Sequence, residues 1–128
     1  MSPLETSVVA DVRAWLTRAK RDLEGAKKLL EGADPHRDLS VFHCQQAAEK
    51  ALKGFLVFHG VKVKKTHDLE EILHSCIVLD PSLLPLEESM RTLTPYASLF
   101  RYPGDLLEPA ESDAQEAVKE AERTLHEI

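Results

Sequence analysis

Between Phe42 and Phe55 the sequence reads FHCQQAAEKALKGF, so Gln45, Gln46, Glu49, Lys50 and Lys53 stand among alanines, leucines and aromatics. At helical spacing Gln45, Glu49 and Lys53 stack one turn apart, with Gln46 and Lys50 beside them. Such a strip has two readings. It is a solvated helix face on which a Glu49/Lys53 pair adds about a few tenths of a kcal/mol. Alternatively it lines a groove or a dimer seam, where lysines meet phosphate and glutamines read polar edges. His43 precedes the glutamines by two positions and reads as a packed or surface histidine rather than a base.

Two further segments carry groups of the same kind. In KKTHDL, Lys64 to Leu69, Lys65 and the free amides of a following helix would make an anion site, with His67 as a polar residue of the loop. In FRYPG, the guanidinium of Arg101 either bonds carbonyls or an acidic neighbour, or holds a phosphate while Tyr102 stacks on a base. The sequence holds no Gly-rich phosphate loop, no HExxH, no nucleophile elbow and no CxxC pair. Cys44 and Cys76 lie far apart, each within an apolar periodic segment, and read as small buried hydrophobes of a reducing compartment. No metal and no cofactor is expected from these residues.

The elements that must position these groups are helices. Val8, Val12, Trp15, Leu16, Ala19, Leu23, Ala26 and Leu30 recur every three or four residues, which predicts a helix over 8–30 with Thr6 or Ser7 as its cap. A second helix is expected from Arg37 to His59, closed by Gly60, with Val41, Cys44, Ala48, Ala51, Leu52, Phe55 and Phe58 as its main apolar stripe. Phe42 and Leu56 fall outside that stripe, so this helix is apolar over more than half its circumference and should be central. A third helix is predicted from Asp68 to Leu79, with Asp68 or Thr66 as cap and a capping-box spacing to Glu71. The alternation of Val61 and Val63 with lysines reads as loop. Asp80 to Pro85 reads as a turn, and a fourth helix from Leu86 should break near Thr92 because Pro95 removes a hydrogen bond one turn back. Arg101 to Asp105 reads as a turn, and a last helix is predicted from Ala110 to Glu127. With no convincing strand, the chain is all-α.

At 128 residues the chain is one domain's worth, residues 1–128, large enough to bury a core without staples. Aromatics make up only 5% of it, so packing must rest on Leu, Ala and Val. A formal charge of -6 argues against global attraction to nucleic acid or an anionic membrane, and any polyanion must find a local basic site. The first residues show no basic start followed by an apolar core, and no run approaches a membrane span, which makes the cytoplasm the default location.

Taken in order, LTRAKRDLEGAKKLL, FHCQQAAEKALKGFLVFHG, KKTHDLEEIL and LFRYPG resemble the HEPN domain family over about Trp15 to Leu125. These are small helical proteins found beside or fused to minimal nucleotidyltransferases. The resemblance implies an up-and-down bundle of four long helices plus a short one, paired as a homodimer, with nucleotide or RNA contact in a cleft. It places Gln46, Glu49, Lys50, Lys53, Lys65, His67, Arg101 and Tyr102 as nucleotide-binding candidates. Many family members are metal-independent ribonucleases with an Arg, four to six residues, then a His at the start of a late helix. After Arg101 the next histidine is His126, so that pattern is missing from its usual place. Arg37 and His43 have the right gap but stand at the start of the second helix, where the match reads as coincidence. The expectation is therefore a nucleotide-binding or partner-recruiting protein working with a separate nucleotidyltransferase. The alternative is a toxin-like ribonuclease of a toxin–antitoxin pair.

Overall fold

The described residues form five α-helices: α1 (Pro3–Leu29), α2 (Arg37–Phe58), α3 (Leu69–Leu79), α4 (Glu87–Leu93) and α5 (Glu111–Glu127). The computed structural model describes residues 2–104 and 107–128, and among these there is no strand. The arrangement is an up-and-down bundle of α1, α2, α3 and α5, with the short α4 bridging α3 to α5. As the apolar circumference predicts, α2 is central, packing on α1, α3 and α5.

Each helix stops and starts for a local reason. α1 begins earlier than its apolar period suggests, because Ser2, not Thr6 or Ser7, is the cap and accepts from the Glu5 amide, with Pro3 preset for the first turn. Past Phe58 and the cap residue His59, α2 is terminated by Gly60, whose φ of 73° is the left-handed turn that favours glycine. Asp68 caps α3 by accepting from the Glu70 and Glu71 amides. The reciprocal half of the capping box does not form, since Thr66 Oγ1 accepts from the Asp68 amide and donates to Glu71. The segment read as a turn before α4 is a 3-10 helix over Pro81–Leu86. As expected of Pro95, α4 ends at Leu93 and the chain tightens into a 3-10 turn over Thr94–Ala97. The Arg-Tyr turn appears as a bend and turn over residues 102–104, while Asp105 lies outside the described residues. α5 opens with Asp113 accepting from the Ala110 amide.

The core runs along α2, where Val41, Cys44, Ala47, Ala48 and Leu52 are fully buried in one cluster with Leu69, Leu73, Cys76, Met90 and Leu93 and with Ala114, Ala117 and Ala121 of α5. Alanines dominate the α2–α5 contact, so those two helix axes approach closely. α1 closes on α2 at Gly54, where an added Cβ would stand 3.0 Å from the Trp15 Cβ. Ser40 strengthens that seam by donating to the Ala26 carbonyl at 2.8 Å. Burial pushes the thiols of Cys44 and Cys76 up to about 12, so both stay protonated.

One expected core residue is outside. Phe58 is 66% exposed, because α2 ends there and no neighbouring helix covers its last turn except the start of α1. No helix among the described residues is long and apolar enough to cross a membrane.

Candidate functional site: the polar strip of α2

Phe42, His43, Gln46, Glu49, Lys50 and Lys53 fall within about half the circumference of α2 at about 100° per residue, with Gln45 at the edge. The strip does not face bulk water as a unit. Gln45, Glu49 and Lys53 are 0%, 4% and 6% exposed, which overturns the solvated-face reading for these three.

They are buried because the 60–68 loop folds over them. Glu49 is the hub: its Oε1 accepts from Gln45 Nε2 at 3.1 Å and meets His67 Nδ1 at 2.8 Å, and its Oε2 accepts from Lys53 Nζ at 3.1 Å. Gln45 Nε2 also donates to the His67 carbonyl at 3.2 Å, and Gln46 Nε2 donates to Gln45 Oε1 at 2.7 Å. Burial alone would raise the Glu49 pKa. The hydrogen bonds from His67, Gln45 and Lys53, with the charge of Lys53, outweigh it and hold the carboxyl below its usual value. Glu49 is thus an ionised carboxylate with Gln45, Lys53 and His67 aimed at it. No buried side-chain polar atom among the described residues lacks a partner.

A second carboxylate organises the opposite margin of the strip, and nothing in the spacing of α2 announces it. Asp22 of α1 meets His43 Nδ1 at 2.8 Å through one oxygen and Lys50 Nζ at 2.5 Å through the other. His43 and Lys50 are two turns apart on α2, so one aspartate spans both and ties α1 to α2. His43 turns Nδ1 to Asp22, so Nε2, an acceptor in the neutral imidazole, is the ring nitrogen this contact leaves over, and the ring is partly exposed. Beside it, Lys50 borders an open groove of about 180 Å³ with Trp15 and Arg18 of α1.

The Arg-Tyr corner reaches the same side of α2. The Arg101 guanidinium lies 3.8 Å from the centroid of the Phe42 ring, one turn before Gln46, and donates to the Ala97 carbonyl at 3.1 Å. Glu49 meets His67 of the loop and does not pair with Arg101. Phe100 precedes this arginine with φ 67°, a left-handed conformation that costs about 1–3 kcal/mol in an aromatic residue. It is held there by packing against the core and by stacking on Tyr96, with ring centroids 6.2 Å apart. Tyr102 is 62% exposed at this corner, and Lys65 is exposed on the 60–68 loop.

The eight candidates are therefore divided. Gln46, Glu49, Lys53 and His67 join Gln45 in one network, Lys50 turns to Asp22, Lys65 stands exposed on the loop, and Arg101 with Tyr102 forms the rim beyond Phe42. Lys50 and Lys53 line different cavities, the latter a space of about 50 Å³ with Lys62, Lys64 and Thr66, so the two lysines do not share one groove. Asp22 and Phe42 were missed. Asp22 sits on the polar side of α1 where acids are ordinary, and Phe42 has no polar group to attract notice. Arg37, the other half of the coincidental pair, reaches the Pro109 carbonyl at 3.4 Å. Six residues of helix turn it about 120° away from His43, so the two do not form one site.

An all-helical bundle whose central helix carries QQxxEK in a loop-covered strip, with an Arg-Tyr corner at its rim, defines a recognisable class. A model of the HEPN domain family matches residues 12–128, and the chain belongs to that family. It is 33% identical over 131 aligned positions to "Putative toxin MJ1304" of Methanocaldococcus jannaschii, with 91% of this chain and 84% of that protein covered. The crystal structure of ST0689, an archaeal HEPN homologue, superposes with a TM-score of 0.69 at 30% identity, covering 90% of this chain and 92% of the other.

Proposed function

We propose that this HEPN protein binds nucleotide or RNA phosphate along the exposed margin of the α2 strip, working as a homodimer with a separately encoded minimal nucleotidyltransferase. The supporting observation is the Arg101 guanidinium, stacked on Phe42 and fixed to the Ala97 carbonyl in an exposed position one turn from Gln46. An arginine preorganised in this way meets an anion with little further ordering, and the planar fork suits a phosphate. Gln46, Lys50, Lys65 and Tyr102 lie outward of the buried hub and supply the remaining contacts. Glu49, Lys53 and His67 act one step back, by fixing the loop that carries Lys65. Neither metal nor cofactor has a part in this reading.

Thermal shift with ATP, GTP and nucleoside monophosphates tests it. A nucleotide at a hundred times its dissociation constant should add about 2.7 kcal/mol of stability, lost in Arg101→Ala. No shift with any nucleotide, and none with short RNA, would overturn the reading.

The Asp22–His43 contact favours a second reading, a toxin-like ribonuclease of a toxin–antitoxin pair. An imidazole oriented by a carboxylate, with Lys50 beside it, is a general base in waiting for a 2'-hydroxyl. Incubation with labelled RNA decides between them: cleavage that falls by about 10²–10⁴ in His43→Ala supports the enzyme, and no cleavage by the parent chain removes it.

A further inference from the structure

Because Gly54 of α2 faces Trp15 and the helices run antiparallel, α2 ends at Phe58 opposite Val12. Residues 3–11 of α1, about 13 Å of helix at 1.5 Å per residue, therefore project beyond it. This overhang is not polar all round. Leu4 is 76% exposed, Val9 38% and Phe58 66%, and with Val8 and Val12 they line an open groove of about 560 Å³. It continues into a second groove of about 320 Å³ floored by Leu16, Phe55 and Ile128. Helical turns with no tertiary packing are marginal in water, and a contiguous apolar face of this kind marks a covered surface.

The charges bordering the groove say what covers it. Glu5, Val9 and Arg13 form one ridge at i, i+4 and i+8, beside the ridge of Leu4, Val8 and Val12. An occupant must bring a cation to Glu5, an apolar residue to Val9 and an anion to Arg13. The same ridge, reversed, supplies all three. About a two-fold axis through Val9, Glu5 of each copy faces Arg13 of the other, since both stand four residues from Val9.

We propose that the N-terminal half of α1 is a self-association surface, closed by the same stretch of a second copy of this chain running antiparallel to it. The proposal rests on the homodimer proposed above and assigns it a face, independent of nucleotide. Phe58 of each copy then closes the end of the seam.

Sedimentation velocity on the full chain across a concentration series tests it. The parent should be dimeric. Glu5→Arg and Arg13→Glu should each raise the dimer dissociation constant about tenfold or more, because each reversal sets two like-charge contacts across the axis. The double variant E5R/R13E should recover most of the lost affinity, a result that no general loss of apolar surface would give. Val9→Asp, which puts two carboxylates on the axis, should leave monomer. All of these side chains are on α1, Glu5 and Val9 in its projecting stretch and Arg13 just past it, and far-UV melting verifies that each variant keeps the parent fold. A dimer untouched by the single reversals overturns this surface while leaving pairing intact. A parent chain that stays monomeric overturns both, and nucleotide-dependent thermal shift still reports separately on the α2 strip.

Discussion

Two histidine–carboxylate contacts flank the same helix, each 2.8 Å long, yet they do different work. At Glu49 the carboxylate is 6% exposed and the imidazole of His67 70% exposed, so the acid is the buried partner and the histidine is the lid. At Asp22 the acid is 13% exposed and His43 36%, and the pair sits in the groove between two helices. The first arrangement fastens a loop to a helix. The second joins two helices and leaves a ring nitrogen at the surface. Similar bond lengths therefore do not identify similar roles; what surrounds the carboxylate does. Glu49 is enclosed by Gln45, Lys53 and His67 as donors, whereas Asp22 orients two groups that each retain an outward side.

The contrast can be broken most strongly at Glu49. Replacing it by Ala leaves the ammonium of Lys53 buried without its counter-ion and should cost about 3–5 kcal/mol in urea unfolding. A loss below about 1 kcal/mol would mean that Lys53 escapes to solvent.

The same carboxylate sets an acid limb. Its folded pKa lies below the ordinary 4.5, so the unfolded chain binds the proton more readily. Stability from this group is present above about pH 4.5 and is lost as the pH falls from there toward the folded value. In Glu49→Gln that part of the acid sensitivity should vanish, while the parent steepens below pH 4.5 in a pH series of melting curves.

His67→Ala should cost less, about 1 kcal/mol, the net worth of one hydrogen bond. Its sharper signature is local: amide exchange over residues 61–68 should accelerate while the α2 core stays protected. Uniform acceleration would show that the loop is not a separate unit. On the other flank, Asp22→Asn should change stability by at most about 1 kcal/mol, as expected of a partly exposed pair. Should RNA cleavage be found, it should nonetheless fall steeply in this variant. Arg101→Ala is the mildest for the fold, within about 0.5 kcal/mol, and its effect should be confined to the nucleotide response.

The helices were legible because their signals are local. Gly60 after Phe58, Asp68 before Leu69 and Pro95 after Leu93 act through φ, a cap and a missing donor, none of which needs a distant partner. Glu49 was legible as a candidate for a related reason: an acid inside a helix that is apolar over most of its girth must meet something. What it meets was hidden, because the 60–68 loop had to be folded over α2 before the strip became interior. Asp22 and Phe42 lay further out of reach, since one acts across a helix pair and the other across a turn some sixty residues later. The overhang of α1 was invisible for a different reason. Its apolar period is the same whether a neighbour covers it or not, and only the point where α2 stops separates the two halves.

The sulfhydryls of Cys44 and Cys76, both wholly enclosed and kept in the unreactive protonated form, give the molecule a built-in clock. A maleimide in the surrounding buffer can modify Cys76 only during a moment when α3 parts from α2, and Cys44 only when the helices packed on α2 open, so at saturating reagent the labelling half-time follows those openings. An additive that tightens the bundle would slow the count, whatever its chemical nature.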